Sequence, residues 1–239
     1  MAFDIKASAK EKGIAGSSLF LLGAVLLVAA FVLGLFSSNG TYAQIISTAF
    51  FVGTLVVMAF GLVVIGLVLY LVALGGISDA VSEGKVFWYG FAGFVFDVIA
   101  IIAISVALFG FTGALAGNVL GNISGLAGFY SGTGYVSLTG SFVGLTGGLA
   151  LAFALVGTFI IVGGLLYMFA LVRAAAETKV HAFKFAGISV FIASLCFGIP
   201  SLVLLNLNAE ASIVISGIGY LLLILSAIFS VVAFHKFGK

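Results

Sequence analysis

Six stretches of this chain, each about 20 residues or longer, contain almost no charge, and that constrains the fold more than any other feature. They lie at roughly 14 to 36, 46 to 74, 87 to 110, 148 to 172, 183 to 205 and 212 to 234, and the only charges within them are Asp97 and, at one edge, Lys184. A bilayer core about 30 Å thick takes about 20 apolar residues per helical crossing. In lipid the backbone must satisfy its own hydrogen bonds, so an apolar run of this length is expected to cross as a helix. Only 7% of the residues are charged, against about a quarter in a soluble domain. The expectation is an all-α, polytopic membrane helix bundle of about six transmembrane helices, a single transmembrane domain over residues 1–239. A long Gly-rich outer insertion spans about 111 to 147.

The charges between the runs set the topology. Lys6, Lys10, Lys12, Lys85, Arg173, Lys179, Lys184, Lys236 and Lys239 all fall on one side of the alternation, with charged connectors at 75 to 86 and 173 to 182. The positive-inside rule makes that side cytoplasmic, so both termini are expected inside a multi-pass protein of the cell membrane. Asn39-Gly40-Thr41 and Asn122-Ile123-Ser124 are glycan-acceptor triplets in loops assigned outside, making Asn39 and Asn122 the candidate glycosylation sites. The charged start followed by apolar residues to Phe36 reads as a retained first helix, too long for a signal h-region. Trp88 and Tyr89 fall where the third helix meets the cytoplasmic interface.

The runs also repeat as three hairpins. Each opens on a related tetrad: Gly13-Ile14-Ala15-Gly16, Gly90-Phe91-Ala92-Gly93 and Lys184-Phe185-Ala186-Gly187. Each closes alike, on Leu69-Tyr70-Leu71-Val72-Ala73-Leu74, Leu166-Tyr167-Met168-Phe169-Ala170-Leu171 and Phe229-Ser230-Val231-Val232-Ala233-Phe234. On the tetrad alignment Asp97 corresponds to Phe191. Every unit starts and ends inside, so the repeats run parallel, related by an axis along the membrane normal.

The segment Gly66-Leu67-Val68-Leu69-Tyr70-Leu71-Val72-Ala73-Leu74, with Gly76-Ile77-Ser78-Asp79 and Lys85-Val86-Phe87 after it, resembles an archaeal membrane-protein family of unknown function, the family numbered nine-nine-six. Ala170-Leu171, the charged turn from Arg173 to Lys184 and the final helix resemble it too; the long outer loop does not. The resemblance implies an archaeal plasma-membrane protein of several helices and brings no catalytic residue, substrate or cofactor.

Asp97 is the one ionisable side chain well inside a span. A carboxylate there costs several kcal/mol unless protonated, hydrogen-bonded or facing water, so it is either a functional group or a neutral acid that serves packing. Its candidate partners are Tyr70, Tyr167, Thr158, Ser194 or a backbone carbonyl. Gly113, Gly117, Gly121 and Gly125 would form a bare stripe on a helix, a contact surface or re-entrant segment; the competing reading is a flexible loop. His181 and His235 sit at cytoplasmic helix ends, solvated rather than ligating, and Pro200 bends or ends the fifth helix. Cys196 has no mate.

No phosphate loop, zinc-helix motif, nucleophile elbow or catalytic carboxylate pair occurs, so no enzyme, cofactor or metal is expected. With a net charge of +2 and no basic run, nucleic acid is not an expected partner. The leading expectation is a non-enzymatic structural or accessory subunit, packed through its glycine-rich faces in a homo-oligomer or larger membrane complex, with lipids around it. The alternative is a channel or proton-coupled carrier for a small or apolar solute, with Asp97 as its titrating group. A sensor coupling lipid state to a cytosolic partner is the third.

Overall fold

The computed structural model describes residues 2–36, 42–103, 138–202 and 209–237, and their regular structure is helical throughout. The helices are α1 (Ala2–Phe36), α2 (Tyr42–Val81), α3 (Gly84–Ala103), α4 (Leu138–Thr178), α5 (His181–Leu202) and α6 (Ala209–Phe237). All six hold runs long and apolar enough to cross a bilayer. Their outer faces stay apolar, with Val57 72% and Leu221 65% exposed. Such a surface is at home against lipid chains and would aggregate in water. The chain is a multi-pass integral membrane protein.

The charged connectors are mostly helix rather than loop. α2 continues to Val81 and α4 to Thr178, and the links to the next helices are only a few residues long. Charge signals water, but the segment Val172-Arg173-Ala174-Ala175-Ala176-Glu177 is made of good helix formers, so the helix outlasts the apolar run. At about 1.5 Å per residue the 40 residues of α2 reach about 60 Å, twice the hydrocarbon thickness.

Both helices end on a left-handed residue, Ser82 at φ 55° and Lys179 at φ 58°. After α2 the Glu83 N–H donates to the Ser78 carbonyl at 3.0 Å, and the Ser78 hydroxyl donates to the Glu83 carbonyl at 2.9 Å, closing a C-terminal cap. Trp88, 64% exposed, stands at the start of α3 as expected for an interfacial ring. α4 already begins at Leu138, so residues 138 to 147 of the expected insertion are helical. Gly113, Gly117, Gly121, Gly125, Asn39 and Asn122 lie outside the described residues.

The helices close a ring in chain order. Gly16 of α1 lies on Gly66 of α2, Gly90 of α3 on Leu74 of α2, and Gly93 of α3 on Gly163 of α4. Gly198 of α5 meets Gly157 of α4, Phe197 of α5 meets Tyr220 of α6, and Phe234 of α6 covers Gly13 of α1. Missing side chains at these crossings let backbones approach, which substitutes for the hydrophobic drive that lipid removes.

These contacts correct the register of the third repeat. Gly13 meets Phe234, Gly90 meets Leu74 and Gly187 meets Leu171, and Leu74, Leu171 and Phe234 are the equivalent last residues of the three closing motifs. The counterpart of Gly13 and Gly90 is therefore Gly187, not Lys184. Ala9, Val86 and Phe183 then correspond, and all three are fully or almost fully buried. The tetrad alignment failed because Phe-Ala-Gly matches cheaply in so apolar a chain, whereas the helix crossing admits one glycine.

Towards the charged end the ring fills with a solid core that includes Leu74, Ile77, Val86, Ala174, Phe183 and Phe234. Phe234 sets its edge against Tyr70, with centroids 5.4 Å apart, and against Phe183 at 5.1 Å. On its surface Arg173 reaches Glu83 at 3.4 Å, an exposed pair worth at most about 1 kcal/mol.

Candidate functional site

Above that core the six helices do not meet in the middle. They leave between them a partly open chamber of about 300 Å³, walled by residues from every helix. Its walls follow the corrected repeat. Val63, Ile160 and Leu223 form one layer, Leu67, Gly164 and Ala227 the next, and Tyr70, Tyr167 and Ser230 the layer nearest the core. The other three helices contribute Phe20, Asp97 and Ser194, again equivalent positions. Asp97 therefore corresponds to Ser194 and Phe20, not to Phe191, and is the only carboxylate of its set.

Glycine fixes where the Asp97 carboxylate sits. A Cβ at Gly163 would stand 2.6 Å from Asp97 Oδ1 and 3.3 Å from the Gly93 carbonyl, so the bare α4 backbone receives the acid. The Tyr167 ring, one turn on, packs against Gly93. No Lys, Arg or His lines the chamber among the described residues.

The candidate partners of Asp97 are largely engaged elsewhere. Tyr70 shares a 3.2 Å hydrogen bond with Ser230 across the ring. The Thr158 hydroxyl donates to the Ala154 carbonyl and the Ser194 hydroxyl to the Val190 carbonyl, each within its own helix. This back-bonding is how a hydroxyl is satisfied in a dry span. Ser226 donates to the Ala186 carbonyl at 2.9 Å. Among the described residues two groups remain: the Tyr167 hydroxyl and Ser17 Oγ are buried without a partner. An orphaned buried hydroxyl costs about 1–3 kcal/mol, so two on one chamber call for an explanation.

That contrast between equivalent tyrosines gives opposite expectations. Tyr167→Phe removes an unsatisfied hydroxyl and should leave the unliganded protein as stable or more stable, by up to about 1 kcal/mol. Tyr70→Phe breaks the bond to Ser230 and should cost about 1 kcal/mol. Thermal unfolding of the two purified variants beside the parent protein checks the signs.

Of the residues singled out from the sequence, Asp97 and three of its four candidate side-chain partners (Tyr70, Tyr167 and Ser194) are brought together, while Thr158 is exposed on the outer side. His181 and His235 are exposed near helix ends, and Pro200 is buried inside the last turn of α5. Ser17 and Phe20 had no distinguishing signal except their repeat position, which needs the corrected register. No protein-family model matches the chain, and neither does any curated protein or solved structure.

Proposed function

We propose that the protein is a non-enzymatic membrane carrier that takes a small, largely apolar solute into the central chamber, where Asp97, Tyr167 and Ser17 hold its polar end. The observation that carries this reading is the pair of buried, partnerless hydroxyls in an otherwise apolar chamber. Ligand sites have this make-up, apolar walls with a few polar groups, and volumes of about 300–1,000 Å³. The one-sided basic residues support a placement of both termini on the cytoplasmic side, and an archaeal cell membrane is the setting that the family resemblance implies. The accessory-subunit reading is weakened because Gly16, Gly66, Gly93, Gly163 and Gly198 are used between helices of one chain.

One observation favours self-association as a second role. Gly53 and Gly61 of α2 face open space on the outer surface, with Val57 and Met58 exposed between them. A second copy could pack there without altering the chamber.

The test is thermal unfolding of the purified protein against a series of small amphipathic solutes. A ligand at a hundred times its Kd should stabilise by about 2.7 kcal/mol. Ala227→Phe, which fills the middle layer, should abolish the response. No stabilisation by any member of the series, or the same stabilisation in the filled variant, contradicts the reading.

A further inference from the structure

Resting on the carrier reading, we infer that the solute is a small ammonium cation with an apolar body, and that it exchanges with a proton at Asp97. The chamber holds one carboxylate and no lining Lys, Arg or His among the described residues. An ionised carboxylate in so apolar a place needs a positive charge beside it, and the walls supply none. It is neutralised either by its own proton or by a cation that the ligand brings.

The remaining groups suit an ammonium. Its N–H donors need acceptors and it offers none in return, and the Tyr167 and Ser17 oxygens are acceptors left without a partner. Phe20, Phe60 and Phe197 also line the walls, and aromatic side chains suit a desolvated organic cation. A hard metal ion wants six or more oxygens, and with the hydroxyls of Tyr70, Ser194, Ser226 and Ser230 already hydrogen-bonded the side chains leave only the Asp97 carboxylate, Tyr167 and Ser17. An anion would meet the carboxylate.

The corrected repeat limits the charge to one. Phe20 and Ser194 occupy the positions equivalent to Asp97, so the site is matched to a monovalent cation. The exchange balances: the protonated acid and the free ammonium give the carboxylate–ammonium pair and one proton released to water. Both cargoes use one carboxylate, so proton and solute exclude each other and move in opposite directions.

The experiment is titration calorimetry of the full-length protein with 2-phenylethylammonium and with 2-phenylethanol, the same body without the charge. Runs in two buffers of different protonation heat count the protons. The cation should bind tighter than the alcohol by about tenfold or more, the weight of a charge-assisted hydrogen bond. One proton should leave per cation bound, and affinity should rise about tenfold per pH unit while Asp97 is protonated in the free protein. Asp97→Asn, which keeps the shape, should lose both the preference and the proton. Equal binding of the two probes without proton release overturns the inference and leaves the carrier standing. If neither probe binds, both fall. The comparison of probes on the parent protein decides even if the variant does not fold.

Discussion

Replacing Phe234 with alanine is expected to lower stability by about 3–5 kcal/mol. The ring is fully buried and takes edge-to-face contacts from both Tyr70 and Phe183 while covering Gly13. It ties the last helix to the first. The Tyr70 ring forms part of the chamber's floor, so solute binding should weaken with it. Phe185, 54% exposed on the lipid side of α5, is the control, and Phe185→Ala should change stability by no more than about 0.5 kcal/mol. Denaturant unfolding of both variants in one detergent makes the comparison. Equal losses would contradict the assignment of the core.

The second large effect is steric. A Cβ at Gly66 would stand 2.8 Å from the Gly16 carbonyl oxygen and 2.8 Å from the Phe20 amide nitrogen, both backbone atoms that move only with their helix. Gly66→Val should therefore part α1 from α2 and cost about 1–3 kcal/mol or more. Gly61, in the same helix, has nothing within 4 Å, and there Gly61→Ala should be neutral or stabilising by about 0.5–1 kcal/mol. The two substitutions add similar groups to one helix with opposite sign. Unfolding curves showing the same sign for both would contradict the backbone contact.

The six crossings were legible because a bilayer excludes charge, and the sequence places its charges at the ends of the runs. Helix ends were not: Arg173 and Asp79 mark where water begins, while α4 and α2 run on until Lys179 and Ser82 turn left-handed. The chamber was invisible for a deeper reason. In lipid both faces of a helix are apolar, so nothing in the sequence separates Leu223, which lines the chamber, from Leu221, which faces outward. Asp97 stood out through its charge. Tyr167 and Ser17 matter because they lack partners, and pairing is a property of the fold.

If the middle of the ring is open space for a solute, Ala227→Leu has room for its longer side chain. Ala227 shares its layer with Leu67 and Gly164, and a larger side chain there has a chamber to enter. Measured by denaturant unfolding without ligand, the variant should be as stable as the parent protein or more so, and should no longer be stabilised by solute. A loss of about 1–3 kcal/mol, as in an overpacked core, with the response to solute intact, would contradict the claim.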